Sequence, residues 1–157
     1  MKQPTYKEQF DKLTEAYIHN KVEPYTACAC FVGNLLNRTS NWISGRGMAA
    51  GETMEDWNIK HPRAPLSQEL VEKATYVSQQ SITENSGGLY TLREIIDLEK
   101  VFLDALEGNC SEDDNSYEEY LFKAFELTLA KLKEIHESKG EIVDAPPVFI
   151  KRQLVTS

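Results

Sequence analysis

The chain has 157 residues, 41% of them hydrophobic and 27% charged, which is the balance of one ordinary globular domain and excludes an intrinsically disordered chain. With 25 acidic against 17 basic residues the formal net charge is −8, so general binding to nucleic acid backbones or anionic membranes is disfavoured. Met1-Lys2-Gln3-Pro4 leads straight into a polar, amphipathic stretch, and no apolar run is long enough to span a bilayer, so a cytoplasmic protein with free thiols is expected from its three cysteines, Cys28, Cys30 and Cys110.

Thr5-Tyr6-Lys7-Glu8 is a capping box, in which hydroxyl and carboxylate satisfy backbone donors that the first helical turn leaves open. Tyr6, Phe10, Leu13 and Tyr17 follow on one face, and Asn20 and Pro24 end the helix. A second helix is predicted from Pro24 or Tyr25 to about Asn37, with Cys28, Phe31, Val32, Leu35 and Leu36 as its apolar stripe. Residues 37–65 then lose all periodicity and hold glycines 45, 47 and 51, prolines 62 and 65, and both tryptophans, so they form a long irregular segment.

A third helix is predicted from Ser67, as N-cap, to about Ile82, burying Leu70, Val71, Ala74 and Val77, with Ser86-Gly87-Gly88 breaking the chain after it. Thr91-Leu92-Arg93-Glu94 is a second capping box flanked by Tyr90 and Ile95, and its helix runs to Leu106 and Gly108. The fifth helix starts at Ser116-Tyr117-Glu118-Glu119 and carries Tyr120, Leu121, Ala124, Phe125, Leu129, Leu132 and Ile135 or His136 inward as far as Gly140. Residues 141–157, with Pro146-Pro147 ahead of Val148-Phe149-Ile150, read as an extended tail that docks through its apolar side chains. The expected architecture is therefore mainly α: a single domain over 1–157, built as a compact bundle of about five helices with the irregular segment 37–65 and the tail.

Charge distribution singles out that irregular segment. Residues 37–65 hold four basic side chains (Arg38, Arg46, Lys60, Arg63) against three acidic ones, a net +1 on a chain of −8. Ser44-Gly45-Arg46-Gly47 lets backbone N–H groups approach an anion while an arginine binds it bidentately, and Trp42 and Trp57 offer rings for stacking. Arg38, Trp42, Arg46, Trp57 and Arg63 are the candidate ligand-binding residues for a small anionic, nucleotide-like molecule. The competing reading is a loop whose tryptophans cap the core. Neither a P-loop nor a dinucleotide fingerprint is present.

Catalysis has one foothold, in Cys28 and Cys30 near a helix start that would favour a thiolate, with His61 as base. Against it, a cysteine on an apolar stripe usually acts as a small hydrophobe. Two cysteines one residue apart on a helix point about 200° apart and would not share a metal ion, so no metal and no cofactor is expected. The carboxylate pairs Glu94 with Asp97 and Glu118 with Glu119 fit helix caps and solvated faces. A non-enzymatic binding protein is the favoured reading; a cysteine-dependent hydrolase or transferase, and an acidic module that docks a basic protein through the last two helices, are the alternatives. The aromatic surplus is also compatible with a homo-oligomer.

The blocks Cys28-Ala-Cys-Phe-Val-Gly-Asn-Leu-Leu-Asn37 and Tyr120-Leu-Phe-Lys-Ala-Phe-Glu-Leu-Thr-Leu through Gly140-Glu-Ile-Val resemble small uncharacterised accessory proteins encoded by bacteria and their phages. The resemblance spans about half the chain. It implies an accessory protein that binds a host protein or a host-made small molecule, and it assigns no functional residue.

Overall fold

A computed structural model of the chain describes residues 3–23, 30–39, 59, 62–63, 67–108, 117–144 and 147–150. Its architecture is mainly α-helical, with five helices in order among the described residues: α1 (Tyr6–Ile18), α2 (Phe31–Leu35), α3 (Gln68–Ser86), α4 (Leu92–Gly108) and α5 (Tyr117–Ser138). No described helix is long and apolar enough to cross a membrane.

Helix α1 starts where its capping box predicts. Thr5 Oγ1 accepts from the Glu8 amide at 3.2 Å while Glu8 Oε1 accepts from the Thr5 amide at 3.3 Å, an arrangement that typically contributes about 1 kcal/mol. Tyr6, Phe10, Leu13 and Tyr17 are all buried, as their spacing requires.

Helix α2 is shorter than the sequence suggests. It begins at Phe31, and Cys30 precedes it in an extended conformation (φ −74°, ψ −175°) with its sulfur accepting from the Gly33 amide at 3.3 Å. Residues 24–29, where the first turns were expected, lie outside the described residues. The angular argument about Cys28 and Cys30 therefore loses its premise, since Cys30 is a cap and not a helical residue. The described part of the stripe holds: Phe31, Val32, Leu35 and Leu36 are fully enclosed, while Cys28 lies outside the described residues.

Helix α3 runs one turn past its expected end. In that added turn Asn85 Nδ2 and Ser86 Oγ donate back to the carbonyls of Ser81 and Ile82, at 2.9 and 2.6 Å. Gly87 and Gly88 then take left-handed backbone at φ +61° and +81°. The expected inward position of Val77 is overturned: it is 47% exposed, and the inner face of this half of the helix is Ser78, Ser81, Ile82 and Ser86. Three of these four are serines, which hydrophobicity alone does not flag as inward-facing. The side chains of Leu70, Val71 and Ala74 lie outside the described residues.

The second capping box sets α4, with Glu94 Oε1 accepting from the Thr91 amide at 2.9 Å and Thr91 Oγ1 from the Glu94 amide at 3.2 Å. Ile95, Leu98, Phe102 and Leu106 form its buried stripe. That stripe packs against α5, the most extensive helix pairing in the fold, and α5 buries Leu121, Ala124, Phe125, Thr128, Leu129, Leu132, Ile135 and His136. Both of the alternatives left open by the sequence, Ile135 and His136, point inward.

Phe125 sits where these faces converge. Its ring centroid is 5.2 Å from Tyr17 on α1, 5.1 Å from Phe31 on α2, 5.7 Å from Phe102 on α4 and 5.5 Å from Phe149 in the tail. The edge-to-face geometries to Phe31 and Phe102 are those that aromatic quadrupoles favour. The tail docks through Phe149 alone among its last described residues, since Val148 and Ile150 are 79% and 72% exposed.

Candidate functional site

Of the five expected ligand-binding residues, Arg38 and Arg63 fall within the described residues, both exposed, and Trp42, Arg46 and Trp57 lie outside them. Cys28 and His61 of the catalytic alternative also lie outside. Arg38 closes α2 in a manner its sequence did not announce. Asn37 and Arg38 both adopt left-handed backbone (φ +60° and +64°), and the Arg38 amide donates to the Gly33 carbonyl at 2.7 Å. This conformation is costly for residues with a Cβ, so the surroundings must hold it.

Those surroundings are a polar junction of three helices. Arg38 Nη1 donates to the Lys21 carbonyl at 3.2 Å and to Asn34 Oδ1 at 3.0 Å. Lys12 of α1 donates through Nζ to the Leu35 carbonyl at 2.7 Å and to Asn37 Oδ1 at 2.9 Å, which caps the open carbonyls at the end of α2. Asn37 Nδ2 in turn reaches the carbonyl and Oδ1 of Asn85 on α3, both at 3.3 Å. Burial lowers the Lys12 ammonium to about 8. Among the described residues neither Lys12 nor Arg38 meets a carboxylate at ion-pair distance. Among the described residues two cations without acidic partners thus stand beside the end of α2, on a protein of net charge −8.

Cys30 offers no nucleophile at neutral pH. Its side chain is buried, and burial, opposed by the Gly33 hydrogen bond and reinforced by the Glu99 charge, pushes the thiol up to about 11. The helix-start effect that favours a thiolate is present in the Gly33 contact, but desolvation outweighs it.

A second polar constellation was not anticipated from the sequence. Gln9 Nε2 donates to the Tyr90 hydroxyl at 3.2 Å, that hydroxyl lies 2.6 Å from His136 Nε2, and His136 Nδ1 lies 3.2 Å from Glu141 Oε1. Glu141 also accepts from the Tyr6 amide on both oxygens, at 3.1 and 3.0 Å. The chain has one consistent proton order. Tyr90 receives from Gln9, so its proton goes to Nε2, and the ring proton on Nδ1 goes to the carboxylate. Burial lowers the His136 pKa, with the Glu141 hydrogen bond and charge in opposition, which keeps the ring neutral. Burial raises the Tyr90 phenol well above its ordinary value.

Hydroxyl, imidazole and carboxylate in series is the connectivity of an activated nucleophile. Here the hydroxyl is the wrong one for that chemistry, because both Tyr90 and His136 are only 1% exposed and no substrate can reach the oxygen. The series is a bracket that ties α1, the start of α4, α5 and the chain after α5 together. Beside it Lys139 Nζ donates to the Leu89 carbonyl and to Glu94 Oε1, each at 2.9 Å. Burial would raise the Glu94 carboxyl, yet Lys139 and Thr91 outweigh it and hold it below its usual value. Glu94 is therefore a cap and an ion-pair partner. Asp97, the other half of that carboxylate pair, lies 3.6 Å from Arg93. Both line a shallow 280 Å³ hollow with Lys131 and Glu134.

One signal for the bracket exists in the sequence. Gln9 and His136 are polar residues on otherwise apolar helical faces, and a buried polar side chain must find a partner. Its partners, Tyr90 and Glu141, sit outside any helix and carry no periodic signal.

No known protein family, curated protein or solved structure matches this chain.

Proposed function

We propose that this is a non-enzymatic binding protein whose helical bundle supports, on residues 37–65, a site for a small anionic, nucleotide-like molecule. The observation that carries the reading is the pair Lys12 and Arg38, two cations without carboxylate partners among the described residues, Lys12 bonded to Asn37 and Arg38 to Asn34, where that segment begins. Arg38 spends one guanidinium nitrogen on the protein, and its exposed position fits a fork that is oriented before an anion arrives. Arg63, exposed, Arg46, and the rings of Trp42 and Trp57 complete the assigned set. Of the groups that the catalytic reading needs, the Cys30 thiol is enclosed, and Cys28 and His61 lie outside the described residues.

In this reading the protein is a cytoplasmic accessory protein that sequesters a host-made metabolite and has no catalytic centre. Native mass spectrometry of freshly purified protein should show a co-purified anion. Titration with ATP as a probe should give saturable binding that weakens when Arg46 and Arg63 are both replaced by alanine, with the melting temperature unchanged. Affinity that is indifferent to both substitutions rejects the assignment.

A further inference from the structure

Among the described residues, Lys7, Lys73, Lys131, Lys133 and Lys139 each lie against a carboxylate, at distances from 2.9 to 3.7 Å. Lys12 is set differently. Its Nζ meets two uncharged acceptors, the Leu35 carbonyl at 2.7 Å and Asn37 Oδ1 at 2.9 Å, and no carboxylate. The Asn37 amide is fixed with its oxygen toward Lys12, because its Nδ2 is engaged by the carbonyl and Oδ1 of Asn85. A neutral amine has two N–H donors and one lone pair, so these two acceptors satisfy it in full and leave the lone pair in the remaining tetrahedral direction. An ammonium in the same place has a third N–H with no acceptor among the described residues and a charge with no counter-charge; burial lowers it to about 8. The amine is not shut away, since Asn37, which it bonds, and Arg38, next along the chain, are both exposed.

We propose that Lys12 is a nucleophilic amine and the acceptor of an acyl group from an acyl phosphate. The Nζ lone pair adds to the carbonyl carbon, the bond from that carbon to the bridging oxygen breaks, its electron pair leaves with phosphate, and the proton shed by nitrogen passes to water. An amide on Lys12 and free phosphate are the products. The class of donor follows from the surroundings: an anionic donor with a phosphate leaving group suits an exposed guanidinium, that of Arg38, which has no carboxylate partner. Acylation removes one of the two uncompensated positive charges beside the end of α2 and leaves a single N–H for two acceptors. The proposal involves the same two cations as the anion site but does not rest on it, since acylation is read on the amine whether or not ATP binds.

Treating the folded full chain with acetyl phosphate, and following each lysine by peptide mass mapping over time, tests it. At pH 7.5 Lys12 should be acetylated about tenfold or more faster than Lys7 or Lys73, exposed lysines on carboxylates. Its rate should reach half its maximum near pH 8, where an ordinary lysine needs about pH 10.4. Asn37→Asp is close to isosteric, tolerates left-handed backbone and places a carboxylate beside Nζ; it should hold the ammonium and slow Lys12 by about tenfold, with the other lysines unchanged. Should that variant not fold, the pH profile of the wild-type chain decides by itself. Lys12 reacting no faster than Lys7 and Lys73, or a Lys12 rate still climbing at about pH 10, overturns the proposal. So does a folded Asn37→Asp chain whose Lys12 reacts as fast as before.

Discussion

Tyr90→Phe isolates the bracket, because it deletes one oxygen and leaves the ring in place. Two enclosed groups then lose their partner: Gln9 Nε2–H, which donated to that oxygen, and His136 Nε2, which received its proton. Leaving a buried polar group unpaired costs about 1–3 kcal/mol, so two such groups give an expected loss of about 2–4 kcal/mol once the phenylalanine's easier burial is subtracted. For a chain of this size that lowers the melting temperature by roughly 5–15 °C. Circular dichroism melts and urea titrations at pH 7.5 measure it, with Tyr76→Phe as control, since Tyr76 is exposed and its hydroxyl meets only Gln80 on its own helix. A loss no larger than the control's, about 0.5 kcal/mol or less, would refute the reasoning.

Other predictions concern the same interior. Burial lowers the His136 pKa in the folded chain, so the unfolded chain takes up its proton first as pH falls; stability is full above about pH 6.5 and declines below it, to level off beneath the folded value. Urea midpoints measured from pH 8 to 5 should show that decline, and the Tyr90→Phe variant, which lacks the donor that holds the neutral ring, should show a shallower one. Phe125→Ala removes the ring shared by four aromatic neighbours and should cost about 3–5 kcal/mol by urea denaturation, against about 1 kcal/mol for the exposed Leu127→Ala. With its thiol raised to about 11, Cys30 should resist a mild alkylating agent at pH 7 until the chain unfolds, as read by mass mapping of the labelled peptides; labelling as fast as a free thiol would contradict the burial assigned to it.

The helical framework was legible because its signals are local and repeated. Two capping boxes mark the starts of α1 and α4, and apolar spacing marks the inner faces of α1 and α5. Prediction failed where local preference and packing parted. Cys30 falls inside the helix expected from Pro24 or Tyr25, but its sulfur takes the Gly33 amide and it is the cap of a helix that starts at Phe31. Val77 reads as core because it is apolar, yet it is half exposed while the polar Ser78 and Ser81 beside it are buried. The candidate site was legible as composition only. Arg38 could be named from its charge, but its left-handed turn and its contacts with Lys21 and Asn34 depend on chain segments that the sequence does not bring together. Lys12 was missed for the same reason, as nothing in α1 foretells that its ammonium caps another helix.

The meeting of rings at Phe125 bears on how the protein comes apart. A single side chain is shared by α1, α2, α4, α5 and the tail, so none of these can peel away without breaking the contacts of the others. Their slowest amides should exchange with solvent through one common opening event, with one free energy for all. Helix α3 contributes no ring to that meeting and among the described residues pairs mainly with α4, so its amides should become accessible through a separate and cheaper event.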